Sequence, residues 1–125
     1  MAHVPGSVGE IRARVPGVEA TYDYIHDNVL TSGLVDQPLK DLCFRFLAGD
    51  VDPAEHEGRE RAALDWAYAI AWDSDASGDE LWERLHGHFS EPELVELGCA
   101  IGFELGQQHF VRTLGLEPEL PHAGS

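Results

Sequence analysis

An all-α bundle of five or six helices is the fold that the sequence predicts, and three observations carry that reading. Apolar residues recur at the three- and four-residue spacing of helices, alternating strand patterns are scarce, and helix start and stop signals punctuate the chain from end to end. A length of 125 residues, with 43% hydrophobic and 9% aromatic content, suits one core rather than two. The predicted organisation is an N-terminal arm over residues 1–16, a helical domain over 17–116 and a loose tail over 117–125.

The first predicted helix covers residues 17–32 and stops at Gly33, a residue tolerant of the backbone found just past a helix end. Asp36 then caps a second helix with Pro38 in its first turn, and Leu39, Leu42, Cys43, Phe46 and Leu47 form its buried stripe. Gly49 ends it. The polar stretch "GDVDPAEHEG" leads into "RERAALDWAYAIAW", a helix with Ala63, Trp66, Ala67 and Ile70 on one face. Ser77 with Glu80 has the capping-box spacing for "DELWERLHGHF", whose inward residues are Leu81, Trp82, Leu85 and Phe89. Ser90 with Glu93 repeats that spacing, and the last helix runs to Leu114 before Gly115 and Pro118.

Charge narrows the function classes. Twenty-three acidic residues against eight basic ones give a net charge of -15, which repels phosphate backbones and anionic membrane surfaces. Nucleic acid and membrane are therefore not expected partners. The start "MAHVPGSVGE" shows no secretory pattern, and the apolar run over residues 94–105 is broken by Glu104 and far below the roughly 20 residues a bilayer needs. Cys43 and Cys99 lack C-x-x-C spacing, in keeping with reduced thiols and a cytoplasmic protein.

The stretch "ELVELGCAIGFELGQQHF" carries the chemistry. Hydrophobic or small residues on every side between Leu97 and Leu105 predict a helix buried all round, the central post of the bundle. Gly98, Gly102 and Gly106 make a ridge without side chains, open to a neighbouring helix, a symmetry mate or a ligand. Glu104 shares a side of that helix with Gln107 and Gln108. A carboxylate there needs a partner, either these amides or a basic group such as Arg45 or Arg59, and in a dry site its pKa rises toward the range useful for proton transfer. The alternative is a carboxylate facing solvent or closing a subunit contact. Asp23 with His26, and Glu83 with His86, have the acid-x-x-His spacing of dinuclear bundles. The further bridging glutamates are not evident, so no metal and no cofactor are expected.

The run from "GRERAALDWA" through "HFSEPELVEL" to "RTLG" resembles the carboxymuconolactone decarboxylase and AhpD-like alkylhydroperoxidase superfamily. The segment "VLTSGLVDQPLKDL" is similar to the helix pair that precedes the active-site helix there. The resemblance implies an AhpD-like helical bundle, homo-oligomeric through helices packed between subunits. It also implies a glutamate, a C-x-x-C pair and a histidine in redox members. Here Asp41 stands where that glutamate is expected, and the dithiol region is the loop "VDPAEHEGRE" with only His56 and Glu57. A thiol peroxidase cycle lacks its adjacent sulfurs. The reading that follows is a lyase-like protein with non-redox acid/base chemistry on a small organic acid or lactone. Glu104, Asp41, His26 and His56 are its catalytic candidates, and Gln107, Gln108, His109, Cys43 and Arg45 its substrate-binding candidates. The competing reading is a non-catalytic oligomeric binding or scaffold protein.

Overall fold

The computed structural model describes residues 2–121, and all its regular structure is helical. In chain order it contains α1 (Val8–Ala13), α2 (Pro16–Ile25) running into a π-helical turn (His26–Leu30), and α3 (Gln37–Leu47). After a 3-10 turn (Pro53–Glu55) come α4 (Gly58–Trp72), α5 (Asp79–His88) and α6 (Glu91–Thr113). The predicted fold class stands.

The main core lies where α3, α4, α5 and α6 meet. Leu39, Leu42, Cys43, Phe46 and Leu47 are all buried, as the stripe on α3 requires. On α4, alanines at positions 62, 63, 67 and 69 let neighbouring helices approach closely, and Trp66 meets Trp82 edge to face with ring centroids 5.4 Å apart. A second, smaller cluster joins Leu30 of the π turn, Phe44 of α3 and Ala100 of α6. It fixes the C-terminal end of the α2 segment against the last helix.

Local capping follows the sequence in one place and departs from it in two. Ser90 accepts from the Glu93 N–H while Glu93 accepts from the Ser90 N–H, so the capping box of α6 is complete. Asp36 occupies the N-cap of α3, but its carboxylate bonds Arg59 of α4 instead of the helix amides. The expected box at Ser77 is absent. Gly78 is the N-cap of α5, and Ser77 Oγ donates to the Ser74 carbonyl at 2.8 Å.

Three further expectations need correction. The arm over residues 1–16 contains α1, opened by a Ser7–Glu10 capping box with bonds of 3.1 and 3.2 Å. The tail is not loose over its described part: Leu120 packs against the smaller core and Pro121 is buried, while residues 122–125 lie outside the described residues. Nor is α6 buried all round. Leu94, Leu97, Ala100, Ile101, Glu104, Gln108 and Val111 face inward, but Val95, Cys99, Gly102, Gly106 and Phe110 are exposed, because α3, α4 and the π turn cover only one side. Of the glycine ridge, Gly98 has a contact within the chain, since a Cβ there would sit 2.8 Å from Trp66 Cη2. Gly102 and Gly106 face open space.

A buried ion pair holds the α2–α3 connection. Lys40, fully buried on α3, donates from Nζ to the carbonyls of Val29 (2.8 Å) and Ser32 (2.6 Å) and lies 3.0 Å from Glu96 Oε2. Glu96 in turn accepts from the N–H groups of Leu34 (2.9 Å) and Val35 (2.7 Å). Gly33 is required beneath it: its φ is +126°, and a Cβ would sit 2.0 Å from Glu96 Oε1.

Candidate functional site

A cavity of about 470 Å³ opens between α1, α2, α6 and the C-terminal segment. Among its buried polar groups is Glu104, only 2% exposed. Two helical periods bring it there. Glu104 falls in the inward row of α6 with Leu97, Ala100, Ile101 and Gln108, so the face that builds the core also buries the carboxylate. Gln108, one turn on, donates from Nε2 to Glu104 Oε2 at 2.9 Å and to the Phe44 carbonyl at 3.1 Å. Its Oε1 accepts from Arg112 at 3.2 Å, so one amide ties the carboxylate to α3 and to the next turn of its own helix.

Burial pushes the Glu104 carboxyl up to about 7, against the opposing pull of the Gln108 hydrogen bond and of the charges on Arg12, His26 and Arg112. Both protonation states are then well populated near neutrality. The expected basic partners, Arg45 and Arg59, are elsewhere. Arg59 pairs with Asp36 and lies over the Phe89 ring, and Arg45 is on the exposed side of α3 between the inward Phe44 and Phe46.

Opposite α6, the π turn delivers His26. Its hallmark bond, from the Thr31 N–H to the His26 carbonyl at 3.0 Å, spans five residues, and the Thr31 hydroxyl reaches the same carbonyl at 2.8 Å. Turns of this kind recur at functional sites. His26 is buried while Asp23 and Asp27 on either side stay exposed, and its Nδ1 lies 2.9 Å from Asp27 Oδ1. A proton on Nδ1 is held by that carboxylate, which orients the ring.

Arg12 of α1 closes the third side. Its Nε and Nη2 both donate to Gln107 Oε1, at 3.1 and 2.9 Å, and its guanidinium carbon lies 3.5 Å from the centroid of the Tyr22 ring. The remaining lining carries Glu19, Asp23, Asp27 and Glu119. Burial raises the Tyr22 hydroxyl pKa despite the nearby Arg12 charge, so the phenol stays protonated.

Within one chain the structure thus joins Glu104, His26, Gln107 and Gln108 and separates them from the other candidates. Asp41 accepts from Gln37 Nε2 at 2.9 Å and lines a second depression with Arg45, one that shares Leu120 and Pro121 with the cavity but none of those four residues. His56 follows the 3-10 turn before α4, 3.5 Å from Glu60, and His109 is exposed on the outer side of α6. Cys43 is sealed in the main core, where burial raises its thiol to about 12, and Cys99 is exposed on α6; both are free. A thiol at about 12 is neutral and a poor nucleophile. Arg12, Tyr22, Glu19 and Glu119 also line the cavity and are not among the residues the sequence singles out. The capping-box spacing Ser7-x-x-Glu10 was the available signal for α1, whereas nothing local marks Tyr22 as a wall.

Among the described residues no group of three or more His, Cys, Asp or Glu side chains is placed to hold a metal ion, the Asp23–His26 and Glu83–His86 pairs included. No described helix is long and apolar enough to cross a membrane. Comparison of the chain with protein-family models, curated proteins and solved structures yields no match.

Proposed function

We propose that this protein uses the Glu104 cavity for non-redox acid/base chemistry on a small organic molecule, of the lyase-like kind that its resemblance to the carboxymuconolactone decarboxylase superfamily implies. The observation that carries this reading is a carboxyl buried at the end of a cavity with a pKa near 7. Such a group can give a proton to a carbanion left by loss of CO₂, or take one from a carbon next to a carbonyl, with little cost at neutral pH. His26, oriented by Asp27, supplies the second proton carrier, and Gln108 holds Glu104 in place. The charge of the lining favours one of the two substrate classes. An anion would meet five carboxylates and one arginine, whereas an uncharged lactone would not be repelled.

The test is turnover of a panel of small lactones and the corresponding acids, followed by NMR, with wild type and Glu104→Gln. Glu104→Gln is expected to lower turnover by at least about 10²-fold with unchanged helicity, the loss typical of a missing proton carrier. Equal turnover by the two proteins removes Glu104 from the reaction. A second reading, a non-catalytic oligomeric binding protein, draws on the exposed Val95, Gly102, Gly106 and Phe110 face of α6, where a neighbouring helix has close access to backbone.

A further inference from the structure

Among the described residues Arg12 is the one arginine or lysine side chain lining the cavity, and its own contacts suggest what the cavity binds. Its guanidinium lies against an aromatic face, 3.5 Å from the Tyr22 centroid, and gives two N–H bonds to one amide oxygen of Gln107. Carboxylates of Glu19, Asp23, Asp27, Glu104 and Glu119 surround the same space. An aromatic face, a carbonyl oxygen and an excess of negative charge are the elements with which proteins bind organic cations. None of these groups is built to hold an anion.

The helix that delivers Arg12 is lightly attached. α1 has six residues, Val8 is its one buried side chain, and neither hydrophobic cluster includes any α1 residue among those described. Besides Arg12, the buried Val8 and the packing of α1 against α2, the segment is held by the His3 N–H on the Leu114 carbonyl (2.7 Å). Arg14 bonds only within the arm, to the Pro5 carbonyl. Few buried contacts mean a low free energy of local opening.

We infer that the cavity binds a ligand bearing a guanidinium or alkylammonium group, and that Arg12 is a tethered occupant of that cation's place which the ligand displaces. This rests on the reading of the cavity as a ligand site and adds a cationic group to the uncharged substrate class favoured above. The ligand's nitrogen stacks on Tyr22 and donates to Gln107, and the rest of the molecule extends toward Glu104 and His26. Displacement lifts α1 and opens the cavity, so the same event that admits the ligand removes the competing charge.

The experiment measures binding of butylguanidinium, butylammonium and butyrate to wild type and Arg12→Met by NMR titration at pH 7 and low salt. With the competing guanidinium gone, Arg12→Met is expected to bind butylguanidinium at least about tenfold more tightly than wild type. Butylammonium should follow the same order and butyrate should bind neither protein. Adding Tyr22→Leu to Arg12→Met should reverse the gain. Arg12→Gln, which keeps a polar stem, gives the same comparison if Arg12→Met does not fold. No gain on removing Arg12, or butyrate binding as well as the cations, overturns the inference. The Glu104 resonance, followed in the same samples, separates this from the proton-transfer reading. A Glu104 titrating near 7 without cation binding defeats only the inference; cation binding with an ordinary Glu104 defeats only the proton-transfer reading.

Discussion

Glu96 and Glu104 lie about two turns apart on α6, the first partly buried and the second fully, and their surroundings drive them in opposite directions. Burial acts to raise the Glu96 carboxyl, but two backbone N–H groups and the Lys40 ammonium outweigh it and hold the pKa below the usual value. Glu104 has one amide N–H, the charges of Arg12, His26 and Arg112 pull less strongly, and burial wins. Two or three donors to the charged form therefore separate a structural carboxylate from a proton carrier on the same helix. The difference is made by the partners that other elements bring, since the side chain and the helix are shared.

The largest effect is expected at Lys40. Lys40→Met leaves Glu96 without its cation and the Val29 and Ser32 carbonyls without their donor, and is expected to cost about 3 to 5 kcal/mol in denaturant unfolding. A loss below about 1 kcal/mol would mean that the pair contributes little.

Glu104→Gln sharpens the comparison from the other side. Folded Glu104 keeps its proton up to about 7, whereas the unfolded chain releases it near 4.5. The folded state therefore binds more protons between those values. The stability this provides is complete below the unfolded pKa and is lost as pH rises through the folded one. Relative to Glu104→Gln, the wild type should lose about 3 kcal/mol on going from about pH 4 to about pH 8. Parallel stability curves for the two proteins would remove the basis of the shift.

A smaller effect is expected at Gly33→Ala, about 2 kcal/mol, because the new methyl meets Glu96 in a backbone conformation that disfavours it. Thermal unfolding reads this directly, and an unchanged midpoint would show that Glu96 can move without loss.

What could be read in the sequence was what local spacing encodes. The α3 stripe, the Ser90–Glu93 box and the Gly115 stop follow from residues within one or two turns of each other. Glu104 and Gln108 were legible together for the same reason, being one turn apart on one face. Their tertiary partners were not. Arg12 is joined to Gln107 across most of the chain, and neither end carries a local mark of the other. Asp41 and His56 drew attention as residue types in plausible places, but α3 and the loop before α4 turn them away from the cavity. Lys40 occupies helical spacing with the buried Cys43, Phe44 and Leu47, a position where a lysine signals a buried ion pair. The π turn has no evident sequence signature, yet it is the element that brings His26 to the cavity.

Proton transfer in the cavity depends most on the protonation of one side chain. The direct measurement is a ¹³C NMR titration of the Glu104 carboxyl in wild type, assigned by its disappearance in Glu104→Gln. A midpoint near 7 is the predicted result. A midpoint near 4.5, where an exposed glutamate titrates, would contradict it, because a carboxyl fully ionised at neutral pH is neither dry nor poised to exchange a proton.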